Sequence, residues 1–294
     1  MRIAVIGAGI SGLYAAWRLA RTHDVTVFEA NAYAGGHTHT VDVELEGRRY
    51  AVDTGFIVFN DWTYPNFIAM LDELGLASQP SNMSFSLRCE RTGLEYNGTS
   101  LNSLFAQRRN LFRPSFLRMI ADILRFNARC RELLESDEDT LSLGDYLARH
   151  RYSRTFTEHY VLPMGRAIWS AEADAMLEFP ARFFVDFFER HGFLNIDERP
   201  MWRVVCGGSR EYVRRIEAVL GSRLRVSSPV ESVQRMPGGV LVRSRGAAAE
   251  RFDAVFIACH SNEALAMLAD ATPLERELLG AFPYAATEAI LHTD

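Results

Sequence analysis

An apolar strand that runs straight into a triple-glycine turn restricts this chain more than any other feature it has. Arg2-Ile3-Ala4-Val5-Ile6 is followed at once by Gly7-Ala8-Gly9-Ile10-Ser11-Gly12. An amphipathic helix comes next, with Leu13, Ala16, Trp17, Leu19 and Ala20 on one side. A second apolar run, Val25-Thr26-Val27-Phe28, then ends at Glu29. That succession is the βαβ unit of a dinucleotide-binding domain. The first glycine makes a tight turn, the second lets backbone approach a pyrophosphate, and the third lets helix pack close to strand. The helix start offers unpaired N–H groups and partial positive charge to phosphate. Glu29, 17 residues past Gly12, is in reach of a ribose hydroxyl pair. An acid there serves NAD and the adenosine half of FAD alike, and disfavours NADP, whose 2′-phosphate would face a carboxylate. In a chain with 20 glycines the glycine pattern alone is a modest signal; the strand, helix and acid around it make it specific.

Composition narrows the remaining classes. The 294 residues suffice for one large domain or two ordinary ones, and 48% apolar with 23% charged residues excludes disordered and fibrous classes. A formal net charge of −5 lacks the basic footprint of a nucleic-acid binder, so no nucleic-acid partner is expected. All 32 basic residues are Arg, which excludes Schiff-base chemistry and a lysine general base within this chain. Cys89, Cys130, Cys206 and Cys259 are widely spaced and read as inert buried thiols rather than a disulfide framework or zinc site. His37 and His39 lack a third ligand at suitable spacing, so no metal is expected. No Gly-x-Ser-x-Gly elbow occurs, which removes the common hydrolase reading. The start has no basic n-region with a long apolar stretch, and no apolar run approaches the ~18 residues of a membrane span. A cytoplasmic location is therefore expected, and the sequons at Asn82 and Asn97 carry no weight.

Past Glu29 and Ala30, the run Gly35-Gly36-His37-Thr38-His39-Thr40 puts two adjacent glycines where a loop could wrap the pyrophosphate from the side opposite the first helix. Here the chain resembles the flavin-containing amine oxidase superfamily, which includes protoporphyrinogen oxidases and phytoene desaturases, and within it bacterial amine-oxidase-like proteins. The shared signature is an acid, a short spacer and a Gly-Gly-Arg turn followed by Thr; His37 stands in the arginine place. A neutral imidazole offers one donor where a guanidinium fork offers five. Val41–Leu45 and Arg49–Val52 alternate about Glu46-Gly47 as a hairpin, leading into Asp53-Thr54-Gly55-Phe56, which resembles the family's segment beside the isoalloxazine. Trp202–Ser209, with Gly207-Gly208, is similar to the turn that returns the chain to the flavin domain before a helix from about Arg210 to Leu220. Pro229–Val233 resembles the strand whose backbone, at Val230, meets the adenine. Asp253–Cys259 resembles the strand that closes the sheet, with Ala258 and Cys259 at its cofactor end.

The resemblance implies an α/β fold: a Rossmann-like FAD-binding domain split between 1–80 and 203–294, and an inserted, mostly helical substrate domain over 81–202. It implies FAD as cofactor and the contacts Gly7, Gly9, Ile10, Ser11, Gly12, Glu29, Ala30, Gly35, Gly36, His37, Thr38, Gly55, Phe56, Val230, Ala258 and Cys259. The reaction implied is hydride transfer from an amine or apolar small-molecule substrate, including unsaturated acyl chains, to flavin. With no Lys for the water-linked role it has in many amine oxidases, the desaturase or isomerase branch is favoured. The alternatives are an NAD-dependent dehydrogenase and a nucleotide-binding fragment without turnover. Family members usually run about another hundred residues past a strand like that expected at Ala289–His292, so the C-terminal part of the usual fold is expected to be missing.

In the insertion, a helix is expected from about Ser115 to Leu134, with Phe116, Ile120, Ile123, Cys130 and Leu134 inward and Arg118, Arg125 and Arg129 on another face. Seven arginines against Asp122 alone between Arg108 and Arg131 read as an ordinary solvated face. The alternative is contact with an anionic membrane surface or an acyl carboxylate. Phe179, Phe183, Phe184, Phe187, Phe188 and Phe193 read as core, or in part as a substrate tunnel, with Pro180 at a helix start. Pro237-Gly238-Gly239 is a hairpin turn, His159 is structural, and His260 either approaches the cofactor or begins a helix. The oligomeric state is left open.

Overall fold

The computed structural model describes residues 1–136, 138–195, 197–284 and 290–292. These fall into two compact units: 1–58, 66–79 and 204–294, and then 59–65 with 80–203.

The first unit is built on four parallel strands. β1 (Arg2–Ile6) leads through the glycine turn into α1 (Ile10–Leu19) and back to β2 (Asp24–Phe28). After the hairpin β3 (Thr40–Leu45) and β4 (Arg48–Asp53), the chain returns as α2 (Arg210–Leu220) and β5 (Leu224–Arg225). A three-stranded meander follows: β6 (Val230–Met236), β7 (Gly239–Ser244) and β8 (Glu250–Phe252). Then come β9 (Ala254–Ile257), α3 (Ser261–Met267) and α4 (Pro273–Gly280). The parallel sheet has the order β5-β2-β1-β9, with Val5 opposite Val27 on one side and Phe256 on the other. Buried on both faces, β1 and β2 are continuous apolar runs, as parallel strands must be. The meander lays Val233, Val240, Val242 and Phe252 against Ala4, Ile6 and Phe28, while α1 packs on α2. Chain order reverses between β1 and β9, so the carboxyl ends of these two strands form the crevice where open α/β sheets take ligands.

The turn of the β3–β4 hairpin has positive φ at both central residues, 51° at Glu46 and 72° at Gly47, as a two-residue turn between right-twisted strands requires. Pro237-Gly238 turns β6 into β7, with Met236 opposite Gly239.

The second unit is mainly helical, with a small hairpin of Ser86–Cys89 and Leu94–Asn97. Its core is aromatic: Phe116, Phe126, Phe156, Phe184 and Phe188 are each at most 1% exposed. Helix Ala181–Arg190 starts directly after Pro180 and buries Phe184 and Phe188, so these two phenylalanines are core. Phe183 is instead exposed, and Phe187 packs on Trp169 at 4.8 Å.

Three expectations need correction. Residues 59–65 belong with the helical unit, whose Trp202 and Arg203 pair antiparallel with Asn60 and Phe59. The helix expected over Ser115–Leu134 is two pieces, Pro114–Arg129 and Glu132–Glu135. It breaks where Leu133 N–H turns back to Cys130 O and the Arg131 side chain bonds Asn127 O, Glu189 and Asn195. No strand forms at Ile290–His292; Ala289 lies outside the described residues.

Candidate functional site

A cavity of about 1030 Å³ opens at the carboxyl ends of β1, β2 and β9. Two glycine loops form one end. Gly35 N–H donates to Ala8 O at 2.8 Å and Gly35 bridges Gly9, so the opening turn and the glycine pair lie edge to edge. A Cβ on Gly12 would collide with Gly7 O, and one on Gly55 with His37 O. A Cβ on Gly9 would meet nothing within 4 Å. Gly12 and Gly55 are therefore demanded by packing, whereas Gly9 opens space into the cavity beside the start of α1. There the N–H groups of the first turn have no intrahelical acceptor.

Glu29, 6% exposed, is held by two backbone donors: Ala8 N–H at 2.7 Å to Oε2 and Asn31 N–H at 2.8 Å to Oε1. A carboxylate has about four acceptor positions, so capacity remains on the cavity side. Thr38 is buried and its hydroxyl lies 2.5 Å from that of Tyr212, whose own ionisation is pushed up to about 12 by burial. Tyr212 meets Phe67 edge-on, and Phe67 meets Phe56, which fixes Phe56 in the wall.

Of the sixteen residues expected at the site, fourteen line this cavity: Gly7, Gly9, Ile10, Ser11, Glu29, Ala30, Gly35, Gly36, His37, Thr38, Phe56, Val230, Ala258 and Cys259. Gly12 and Gly55 stand behind the wall, where a Cβ would collide with the Gly7 and His37 carbonyls respectively. Sequence reasoning passed over Phe28, Asn31, Pro229 and Glu231, which adjoin expected positions. It also passed over Glu263, Ala266 and Met267, whose i, i+3, i+4 spacing on α3 was a signal that could have found them.

The histidines separate. His37 sits exposed at the rim with its ring 6.0 Å from that of His260, which lines the cavity, immediately precedes α3 and stacks on Tyr284 at 4.5 Å. His39 bonds Thr54 Oγ1 at 2.8 Å. Among the described residues no three His, Cys, Asp or Glu side chains are grouped to hold a metal ion. His159 is buried, its carbonyl accepting from Tyr96 at 2.7 Å. Burial pushes the Cys259 thiol up to about 11, so it stays protonated and inert at neutral pH.

Behind the wall, Asp53 ties the hairpin to α2. Its carboxylate accepts from Ser209 N–H at 2.9 and 3.0 Å, from Ser209 Oγ at 3.0 Å and from Thr40 Oγ1 at 2.5 Å. Arg210 adds a two-pronged pair to Asp42 at 2.6 and 2.8 Å, whose carboxyl it holds below the usual range.

Residues 10–292 match the family model described as flavin containing amine oxidoreductase. A Mycobacterium tuberculosis protein provisionally named flavin-containing monoamine oxidase AofH is 28% identical over 263 residues, 84% of this chain and 54% of that one. The 1-hydroxycarotenoid 3,4-desaturase of a Flavobacterium is 32% identical over 155 residues, 51% of this chain and 26% of that one. The fold is like that of cyclohexylamine oxidase from Brevibacterium oxydans, with a TM-score of 0.73 at 20% identity, covering 95% of this chain and 62% of that one. The chain thus spans about half the length or less of these curated relatives.

Proposed function

Because the chain belongs to the flavin containing amine oxidoreductase family, we propose that it is the FAD-holding part of a flavin-dependent oxidoreductase, acting on an amine or apolar small molecule. The observation that carries this reading is the open position at Gly9 between two glycine loops, at the start of a helix and beside a buried acid.

Glu29 would accept from ribose hydroxyls, its orientation set beforehand by Ala8 and Asn31 N–H groups. The amides at the start of α1 and the Gly35-Gly36 backbone would take the diphosphate, with His37 as a further donor at the rim. Val230, between Pro229 and Glu231, would meet the adenine, while Phe56 and Thr38 lie at the glycine end of the wall. Bound FAD supplies the hydride acceptor, and the protein's part is binding, orientation and exclusion of water. No side chain is needed as a nucleophile. Resemblance to both an amine oxidase and a desaturase by name fits either C–N or C–C bonds as the reacting group.

The test is titration of the purified protein with FAD, read by flavin absorbance, with NADH as competitor. A stoichiometric yellow complex that releases intact FAD on heating is expected. Tight NADH binding with no flavin uptake would replace this reading with the dehydrogenase one. Anaerobic bleaching of the loaded protein by a panel of amines and unsaturated acyl compounds then identifies the substrate class.

A further inference from the structure

Helix Pro114–Arg129 in the helical unit has two apolar faces, and only one of them is packed. At about 100° per residue, Phe116, Met119, Phe126 and the C-capping Cys130 fall together and are buried. Leu117, Ala121, Leu124 and Ala128, spaced four, three and four, fall on the opposite side and are all exposed, Leu117 at 43% and Leu124 at 50%. The turn Arg108–Phe112 ahead of the helix exposes Phe112 at 85%. A solvated face accounts for arginines but not for an apolar stripe of two leucines and two alanines.

The charge around the stripe is as one-sided as its hydropathy. Arg118, Arg125 and Arg129 fall along one edge of it. From Arg108 to Arg131 there are seven arginines against Asp122, in a chain whose net charge is −5, and of these Arg131 is paired outside the stretch with Glu189. Asp122 neutralises one charge of the Arg118–Arg125 pair. Arg108 and Arg109 bond neutral oxygens, Asn102 Oδ1 and Gly93 O, and among the described residues neither is paired with a carboxylate.

We propose that the turn and the exposed face of this helix form a docking surface for an anionic lipid bilayer. The leucines and Phe112 enter the boundary between headgroups and acyl chains. The stems of Arg118 and Arg129 lie along the apolar surface with their guanidiniums at the lipid phosphates, while Arg125 is turned inward onto Asp122 and Tyr152. With 16 residues and this pattern the helix lies on the surface rather than across it, and among the described residues no helix is long and apolar enough to span.

Vesicle flotation of the full chain tests this. The protein is expected to float with phosphatidylglycerol-containing vesicles, at least about tenfold more weakly with pure phosphatidylcholine, and to be released by salt. Leu117→Asp combined with Leu124→Asp should abolish flotation while circular dichroism and FAD titration stay unchanged. Arg129→Gln should weaken it about fivefold. Should the double variant misfold, Phe112→Ser carries the same test from an 85% exposed position. Wild type that stays unbound with phosphatidylglycerol vesicles, or a folded double variant that floats like wild type, overturns the proposal. So does a dimer split by the leucine substitutions in the absence of lipid binding, which would assign the face to a second copy.

Discussion

At the scale of single residues, the three glycines of the opening turn do different things, and substitution should separate them. Gly9 has φ −69° and ψ 178°, which any residue adopts, and open space where a Cβ would go. Gly9→Ala should therefore raise the stability of the unliganded protein by about 0.4–1 kcal/mol, through the unfolded chain, while weakening FAD binding at least about tenfold. Gly12→Ala should instead cost about 1–3 kcal/mol of folding stability, because its Cβ meets the Gly7 carbonyl. Urea unfolding and flavin titration on the two variants check both halves; equal flavin affinity in Gly9→Ala and wild type would give the turn another use. His37→Arg is the converse change. It puts a charged fork at a rim where the family signature has one, and should tighten FAD binding about tenfold, with steeper salt dependence in the same titration.

At the scale of elements, two carboxylates hold distant segments together. Asp53 supplies the start of α2 with the acceptor that a Ser or Asp on the helix itself would ordinarily provide. Asp53→Ala should cost about 2 kcal/mol in urea unfolding, by loss of the cap and of the Thr40 bond. Asp122 carries a pH dependence that can be checked. Burial alone would raise its pKa, but Ser153 and the guanidiniums of Arg118 and Arg125 outweigh burial and hold it below the usual value. Its stabilisation is thus present above the ordinary carboxyl pKa and lost as pH falls through the lowered one. Asp122→Asn should cost about 1–3 kcal/mol at neutral pH, with the gap to wild type closing in acid when midpoints are followed against pH. The elements were readable where local chemistry decides them: the strand and glycine turn, the hairpin about Glu46-Gly47, and the helix Arg210–Leu220 after two glycines with positive φ. Those decided at long range were not. The break at Cys130 depends on Arg131 meeting Glu189 and Asn195, and residues 59–65 join the helical unit through pairing with Trp202 and Arg203. The apolar period of the helix at 114 pointed to one buried face and hid the second.

At the scale of the whole molecule, the cavity wall comes from residues 6–11, 28–38, 56, 229–231 and 256–267, which only the strand order β5-β2-β1-β9 brings together. Spacing identified the segments one by one; their meeting at one crevice follows from parallel pairing on both sides of β1. Each unit has its own buried core, the helical one lined by aromatic side chains and the other by the sheet and its meander. A ligand that binds only the folded cavity stabilises whatever must unfold to release it, by about 2.7 kcal/mol at a hundredfold excess over Kd. Hydrogen exchange should therefore slow by about a hundredfold on FAD saturation at amides of residues 7–12 and 35–38, and at 256–263, whose opening destroys the site. Amides of Phe116–Phe126, in the other core, should slow less. Exchange at 7–12 that is indifferent to saturating FAD would mean that the glycine turn does not close on the cofactor, and that the wall has been assigned to the wrong ligand.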